Sequence, residues 1–193
     1  MKTLRICAAL IALACSIASA HAATRVYELG GLGCGFGLNP AAALAAKIPG
    51  THVFGCYFDA QRFQADALAH RHDRIILVTH SMGDVGGGAM ADNLCRAGVS
   101  VKMIALDALY TGASVHCAPT VHFWQGGYQM PGAHNVYVPS SYGHIAFPSD
   151  PAVQAKVLAA AGGGGKIYAS HIHHRVHAPI RAHVRSHAVH HHA

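Results

Sequence analysis

Arg74-Ile75-Ile76-Leu77-Val78-Thr79-His80-Ser81-Met82-Gly83 is the stretch on which the reading of this chain turns. Ile75 to Val78 is an unbroken apolar run, the pattern of a strand buried on both faces of a parallel sheet. Helical character follows over Val85 to Ala97, closed by Gly98 as a C-cap. The segment therefore predicts a strand, a sharp turn at Ser81 and a helix. Small residues at 83, 86, 87 and 88 let strand and helix approach closely. Thr79 is the misfit, a β-branched side chain at a crowded place where a smaller residue is expected.

The same alternation extends outward. Upstream, Arg25 to Leu29 is a short strand running into Gly30-Gly31-Leu32-Gly33-Cys34-Gly35-Phe36-Gly37, too glycine-rich for helix or strand. Asn39-Pro40 opens a helix through Ile48, which Pro49-Gly50 ends. Thr51 to Phe58 reads as the next strand, and Asp59 caps a helix to about Arg71. Downstream, Val101 to Leu106 is a buried strand ending at Asp107. His122 to Trp124 and Asn135 to Val138 are read as two more strands, and Pro151 to Ala161 as a final helix. Strands alternating with helices predict an α/β fold, a three-layer sandwich with a mostly parallel central sheet. Right-handed crossovers place functional groups at the carboxyl ends of the strands.

The two ends of the chain are of different material. Lys2 and Arg5, the apolar run Ile6 to Ala18, and Ala18-Ser19-Ala20 as a small-x-small cleavage site make residues 1–20 a secretory signal. The run is too short for a stable membrane span. A periplasmic or secreted protein, cleaved near Ala20, is the expectation. The domain then covers residues 21–161, and residues 162–193 are a glycine linker and a disordered tail with nine of the chain's 18 histidines.

Charge follows the same division. The net charge of +6 has six of the 14 basic residues in the two end segments, leaving eight bases against eight acids between them. That balance argues against a nucleic-acid partner. With Cys7 and Cys15 in the signal, Cys34, Cys56, Cys95 and Cys117 remain. In an oxidising compartment they allow two disulfides in three connectivities, or buried free thiols.

The chemistry centres on Ser81. A serine on a strand-to-helix turn projects its hydroxyl above the sheet edge, in the manner of a G-x-S-x-G nucleophile elbow with Thr79 at the first glycine. The competing reading is a serine that caps an ordinary helix. A hydroxyl is a poor nucleophile at neutral pH, so it needs an imidazole base and a carboxylate to orient that base. Of eight acids, Asp84, Asp92, Asp107 and Asp150 follow the serine. Asp84 and Asp92 belong to the next helix and are expected to point away from the catalytic edge. Asp107, at the end of the next strand, is the best placed. Among His116, His122, His134 and His144, the last stands in Ser140-Ser141-Tyr142-Gly143-His144, between the last strand and the final helix, and is the expected base. His80 is expected to face away and to take no chemical part. Oxyanion donors are usually worth ~3 kcal/mol each. The backbone amide of Met82 is one candidate, and that of Leu32 or Gly33 in the glycine loop the other. A phosphate-binding reading of that loop competes, but its third glycine and ribose-binding acid are missing.

Taken in order, Val26-Tyr27-Glu28-Leu29-Gly30-Gly31-Leu32-Gly33, Leu77-Val78-Thr79-His80-Ser81-Met82-Gly83, Ile104-Ala105-Leu106-Asp107, and Gly143-His144 followed by Asp150-Pro151-Ala152-Val153 resemble the α/β-hydrolase superfamily over residues 25 to about 161. The likeness is to its small, lidless bacterial members related to lipases and thioesterases. It implies a compact fold without a cap domain and hydrolysis of a small-molecule acyl ester or thioester through an acyl-enzyme, with no cofactor. Two other functions compete. One is a His-rich metal-binding protein, with His171, His173, His174, His177, His183, His187, His190, His191 and His192 as weak, adventitious ligands for zinc, nickel or copper. The other is a hydrolase-shaped binding module without activity.

Overall fold

The computed structural model describes residues 22–109 and 112–162. The segment 1–20 expected to be a secretory signal, and residues 163–193 of the expected linker and tail, lie outside the described residues. Six strands form one sheet: β1 (Thr24–Gly30), β2 (Thr51–Cys56), β3 (Arg74–His80), β4 (Val101–Leu106), β5 (Thr120–Trp124) and β6 (His134–Tyr137). Their order is β2-β1-β3-β4-β5-β6. All five pairings are parallel, so the sheet expected to be mostly parallel is entirely so.

Among the described residues the α-helices are α1 (Pro40–Ala45), α2 (Ala60–Ala69), α3 (Gly83–Arg96), α4 (Gly143–Ala146) and α5 (Pro151–Gly162), with short 3-10 turns between elements. Strand parity assigns them to the two faces. Tyr27, Leu29, Ile75 and Leu77 pack against Phe63 of α2 and Met90 and Leu94 of α3. Val26, Ile76 and Val78 pack on the opposite side against Leu44 of α1 and Val153 and Val157 of α5. The result is a three-layer α/β/α arrangement, with helices on both faces of a parallel sheet. No described helix is long and apolar enough to cross a membrane.

Several boundaries differ from the expected ones, among them the start of β5 at Thr120 and the short helix at Gly143–Ala146 where a loop was expected. β2 stops at Cys56 rather than Phe58, because the Asp59 carboxylate accepts from the Cys56 amide at 2.9 Å and Tyr57–Asp59 winds into a 3-10 turn. α1 ends at Ala45, short of Ile48, in a turn. α3 begins at Gly83 and runs through its glycines, two residues earlier than its apolar pattern indicates. Packing decides that start: a Cβ on Gly83 would overlap the Leu29 carbonyl oxygen of β1.

Cys34 is bonded to Cys56 and Cys95 to Cys117, one of the three connectivities the sequence leaves open. The first ties the glycine loop after β1 to the end of β2. The second ties the end of α3 to the segment before β5. Disulfides of this kind belong to oxidising compartments.

Candidate active site

The strand order reverses between β1 and β3. After β1 the chain crosses one face through α1 to reach β2, and after β3 it crosses the other through α3 to reach β4. A crevice opens where successive crossovers part to opposite faces, at the carboxyl ends of β1 and β3. Gly31, Leu32, Gly33, Ser81 and His144 line a cavity of about 230 Å³ there.

Ser81 has φ 59°, a left-handed backbone that a β-carbon-bearing residue adopts only under constraint. The turn is held by the Ser81 amide donating to the Leu106 carbonyl at 3.2 Å and by the Asp84 amide donating to the Ser81 carbonyl at 3.1 Å. Glycine at 31 lets the loop approach, since a Cβ there would lie 2.8 Å from the Ser81 Cβ.

The Ser81 hydroxyl and His144 Nε2 are 2.8 Å apart. His144 Nδ1 lies 2.9 Å from Asp107 Oδ2. Asp107 follows β4 at φ 49° and is almost fully buried. Burial by itself would raise its carboxyl. Hydrogen bonds from His144 and from Gln125, whose side-chain amide donates at 2.9 Å and backbone amide at 3.3 Å, outweigh that and hold it below the usual range. An ionised Asp107 selects the His144 tautomer protonated on Nδ1, which leaves Nε2 to accept from Ser81. The structure thus brings Ser81, His144 and Asp107 into one chain of hydrogen bonds.

The other candidates lie elsewhere. Asp92 accepts from the amides of His116, Cys117 and Ala118 and anchors the loop before β5. Asp150 accepts from the Ala152 amide at 2.7 Å at the start of α5. His134 opens β6 at the sheet edge. His122 is buried beneath the acid: its Nε2 accepts from the Ala108 amide at 3.0 Å, and its Nδ1 donates to Asn135 Oδ1 at 2.7 Å. Of the oxyanion candidates, Leu32 and Gly33 line the cavity, and Met82 sits at the N-cap of α3.

Two expectations are corrected. His80 does not face away: its Nε2 donates to the His144 carbonyl at 3.0 Å, and the two rings stack with centroids 4.9 Å apart. Parity explains it. His80 shares a face with Ile76 and Val78, and the segment carrying His144 returns to that face. Burial, then the neighbouring His144, push His80 down to about 4, so it is a neutral donor at ordinary pH.

Asp84 also does not point away. It is fully buried, accepts a short hydrogen bond from the Thr79 hydroxyl, and has backbone hydrogen bonds from Leu106 and Ser81. Burial raises its carboxyl well above the usual range despite them. Thr79 is accommodated because a glycine lies opposite, a Cβ on Gly87 being sterically excluded by the Thr79 methyl. Gln125 was not foreseen. It follows β5, and only the β4–β5 register, Leu106 opposite Phe123, brings it beside Asp107.

Among the described residues no three histidine, cysteine or acidic side chains cluster in a way that could hold a metal ion. No protein-family model and no curated protein sequence matches the chain. Among solved structures, the chain is similar to a protein of Xanthomonas campestris pv. campestris described as a "putative hydrolase of the alpha/beta superfamily". The identity is 15%, over 72% of this chain and 99% of that one, with a TM-score of 0.47.

Proposed function

We propose that this chain is an exported serine hydrolase that cleaves an ester or thioester through an acyl-enzyme. The observation that carries the reading is the hydrogen-bonded series Ser81, His144, Asp107, at 2.8 and 2.9 Å, at the mouth of a cavity.

In this mechanism the Ser81 oxygen attacks the substrate carbonyl while His144 Nε2 takes its proton. Asp107 keeps the imidazole oriented and stabilises the imidazolium. Backbone amides of Leu32 or Gly33 and of Met82 receive the oxyanion, the latter beside the positive end of α3. His144 returns the proton to the leaving group, and water then releases the acid by the same route in reverse. Export rests on the signal-like residues 1–20 together with the two disulfides.

Labelling with a fluorophosphonate probe tests it. The wild-type chain becomes labelled and Ser81→Ala does not. A wild-type chain that resists the probe overturns the hydrolase reading in favour of an inactive binding module.

The nine histidines among residues 166–193 support weak zinc, nickel or copper binding as an accessory property of the tail. Deletion of 163–193 abolishes retention on immobilised nickel and leaves probe labelling intact. Loss of labelling in that variant would instead tie the tail to the chemistry.

A further inference from the structure

We infer that the substrate is an uncharged ester bearing an aliphatic chain, and that the chain lies in a groove running from Ser81 between Leu38 and Ile145 toward Pro40 and Ser149. This deepens the hydrolase reading and rests on it.

The cavity at Ser81 does not end at the serine. A second cavity of about 340 Å³, lined by Gly37, Asn39, Pro40, Ala146 and Ser149, adjoins it, and Leu38 and Ile145 line both. Those two side chains are 63% and 65% exposed, with Leu32 at 61% and Leu109 at 48% on the rim of the first cavity. One exposed leucine is ordinary. Four large aliphatic side chains around one opening, contiguous with a candidate nucleophile, form a surface that an alkyl chain would take out of water. Their position gives that chain a direction, away from Ser81 along the gap between the N-terminus of α1 and α4.

Charge narrows the class further. None of the described residues lining either cavity is Lys, Arg, Asp or Glu. A carrier bearing phosphates, such as a coenzyme A thioester, therefore meets no cationic partner there. An alcohol or thiol leaving group without charge fits.

The aliphatic chain can come from the acid or the alcohol side of the ester, and two substrate series separate these. One lengthens the acyl group of p-nitrophenyl esters from acetyl to decanoyl, and the other lengthens the alcohol of acetate esters. In one series kcat/KM rises about fourfold per methylene over the first several carbons, the factor for burying each in an apolar groove. Leu38→Asn and Ile145→Asn flatten that slope. Serine-dependent turnover with both series flat or falling overturns the groove and leaves the hydrolase standing. So does octanoyl-coenzyme A cleaved as fast as the matched uncharged ester.

A direct measurement separates the two readings. Calorimetry on Ser81→Ala compares methyl octanoate with methyl butyrate. Tighter binding of the octanoate, weakened by Ile145→Asn, supports the groove even if the wild type turns nothing over. Equal or weaker binding overturns it.

Discussion

The imidazole of His80 holds the backbone of His144, donating to its carbonyl at 3.0 Å while the two rings stack. The residue next to the serine in sequence thus fixes the residue next to the serine in space. Removing this contact in His80→Ala should lower kcat about tenfold, the worth of one buried hydrogen bond, with KM changed less than twofold. His80→Gln, which retains a donor, should recover part of the loss. A kcat that stays within twofold of wild type in His80→Ala would contradict the positioning role.

The same histidine sets an acid limit on stability. The folded chain protonates His80 only near pH 4, whereas an unfolded histidine does so near 6.5. Between those values the unfolded state binds more protons, so stability falls as pH drops from about 6.5 to about 4, by about 3 kcal/mol in all. Urea denaturation at several pH values should show this slope reduced in His80→Gln. Identical slopes in the two proteins would refute it.

Glu28 acts in the opposite sense. It is buried on β1, with Oε2 accepting from Asn39 Nδ2 at 2.9 Å and Oε1 without a partner. Burial, against the Asn39 hydrogen bond, raises it from 4.5 to about 8. The folded state therefore holds a proton that the unfolded chain loses above 4.5, and the stability this gives fades as pH rises toward and through 8. Glu28→Gln, neutral throughout and still able to accept from Asn39, should gain relative to wild type by about 5 kcal/mol between pH 4.5 and 9. Parallel stability curves for the two proteins would be the contrary result.

Thr79 and Gly87 form a size-matched pair across the β3–α3 interface. Gly87→Ala should cost about 1–3 kcal/mol from overpacking against the Thr79 methyl. In a Thr79→Ser background, which removes that methyl and keeps a hydroxyl for Asp84, the same change should be neutral or stabilising, since alanine is the better helix former by about 1 kcal/mol. A double-mutant cycle in urea measures the coupling, and additive effects would disprove the pairing.

The two disulfides should separate stability from activity. Each closes a loop of the same length, 22 residues in sequence separation, so paired Cys→Ala replacement should lower stability by about 3 kcal/mol in each case. Only Cys34–Cys56 restrains the loop bearing Leu32 and Gly33, and only its loss should depress kcat at a temperature where the protein stays folded. Equal kcat losses for both pairs would count against an oxyanion role for that loop.

Much of this was legible in the residues. The apolar run Ile75 to Val78 and its spacing from Ser81 announce a buried strand and an exposed turn, because burial on both faces admits nothing polar. Asp107 could be selected by topology, since few acids follow the serine and only one closes a strand. What escaped were contacts between elements. The direction of His80 depends on which face the chain returns to, and Gln125 on which strands are neighbours. Whether Thr79 fits depends on Gly87, in the following helix and packed directly against its methyl, rather than on the motif. Local periodicity encodes secondary structure and burial. It does not encode which surfaces meet, and the close approach of Gly83 to the Leu29 carbonyl at the start of α3 belongs with these contacts.

Ser81 and His144 are 63 residues apart in sequence, and the base arrives only after β6, the last strand, has joined the sheet's edge. Closing so long a span is slow compared with forming a helix or turn. A nascent polypeptide that has emerged only as far as β4 or β5 therefore carries Ser81 without the imidazole of His144 that bonds to it in the folded chain. The hydrogen-bonded series Ser81, His144, Asp107 is therefore completed only when synthesis and folding are nearly finished.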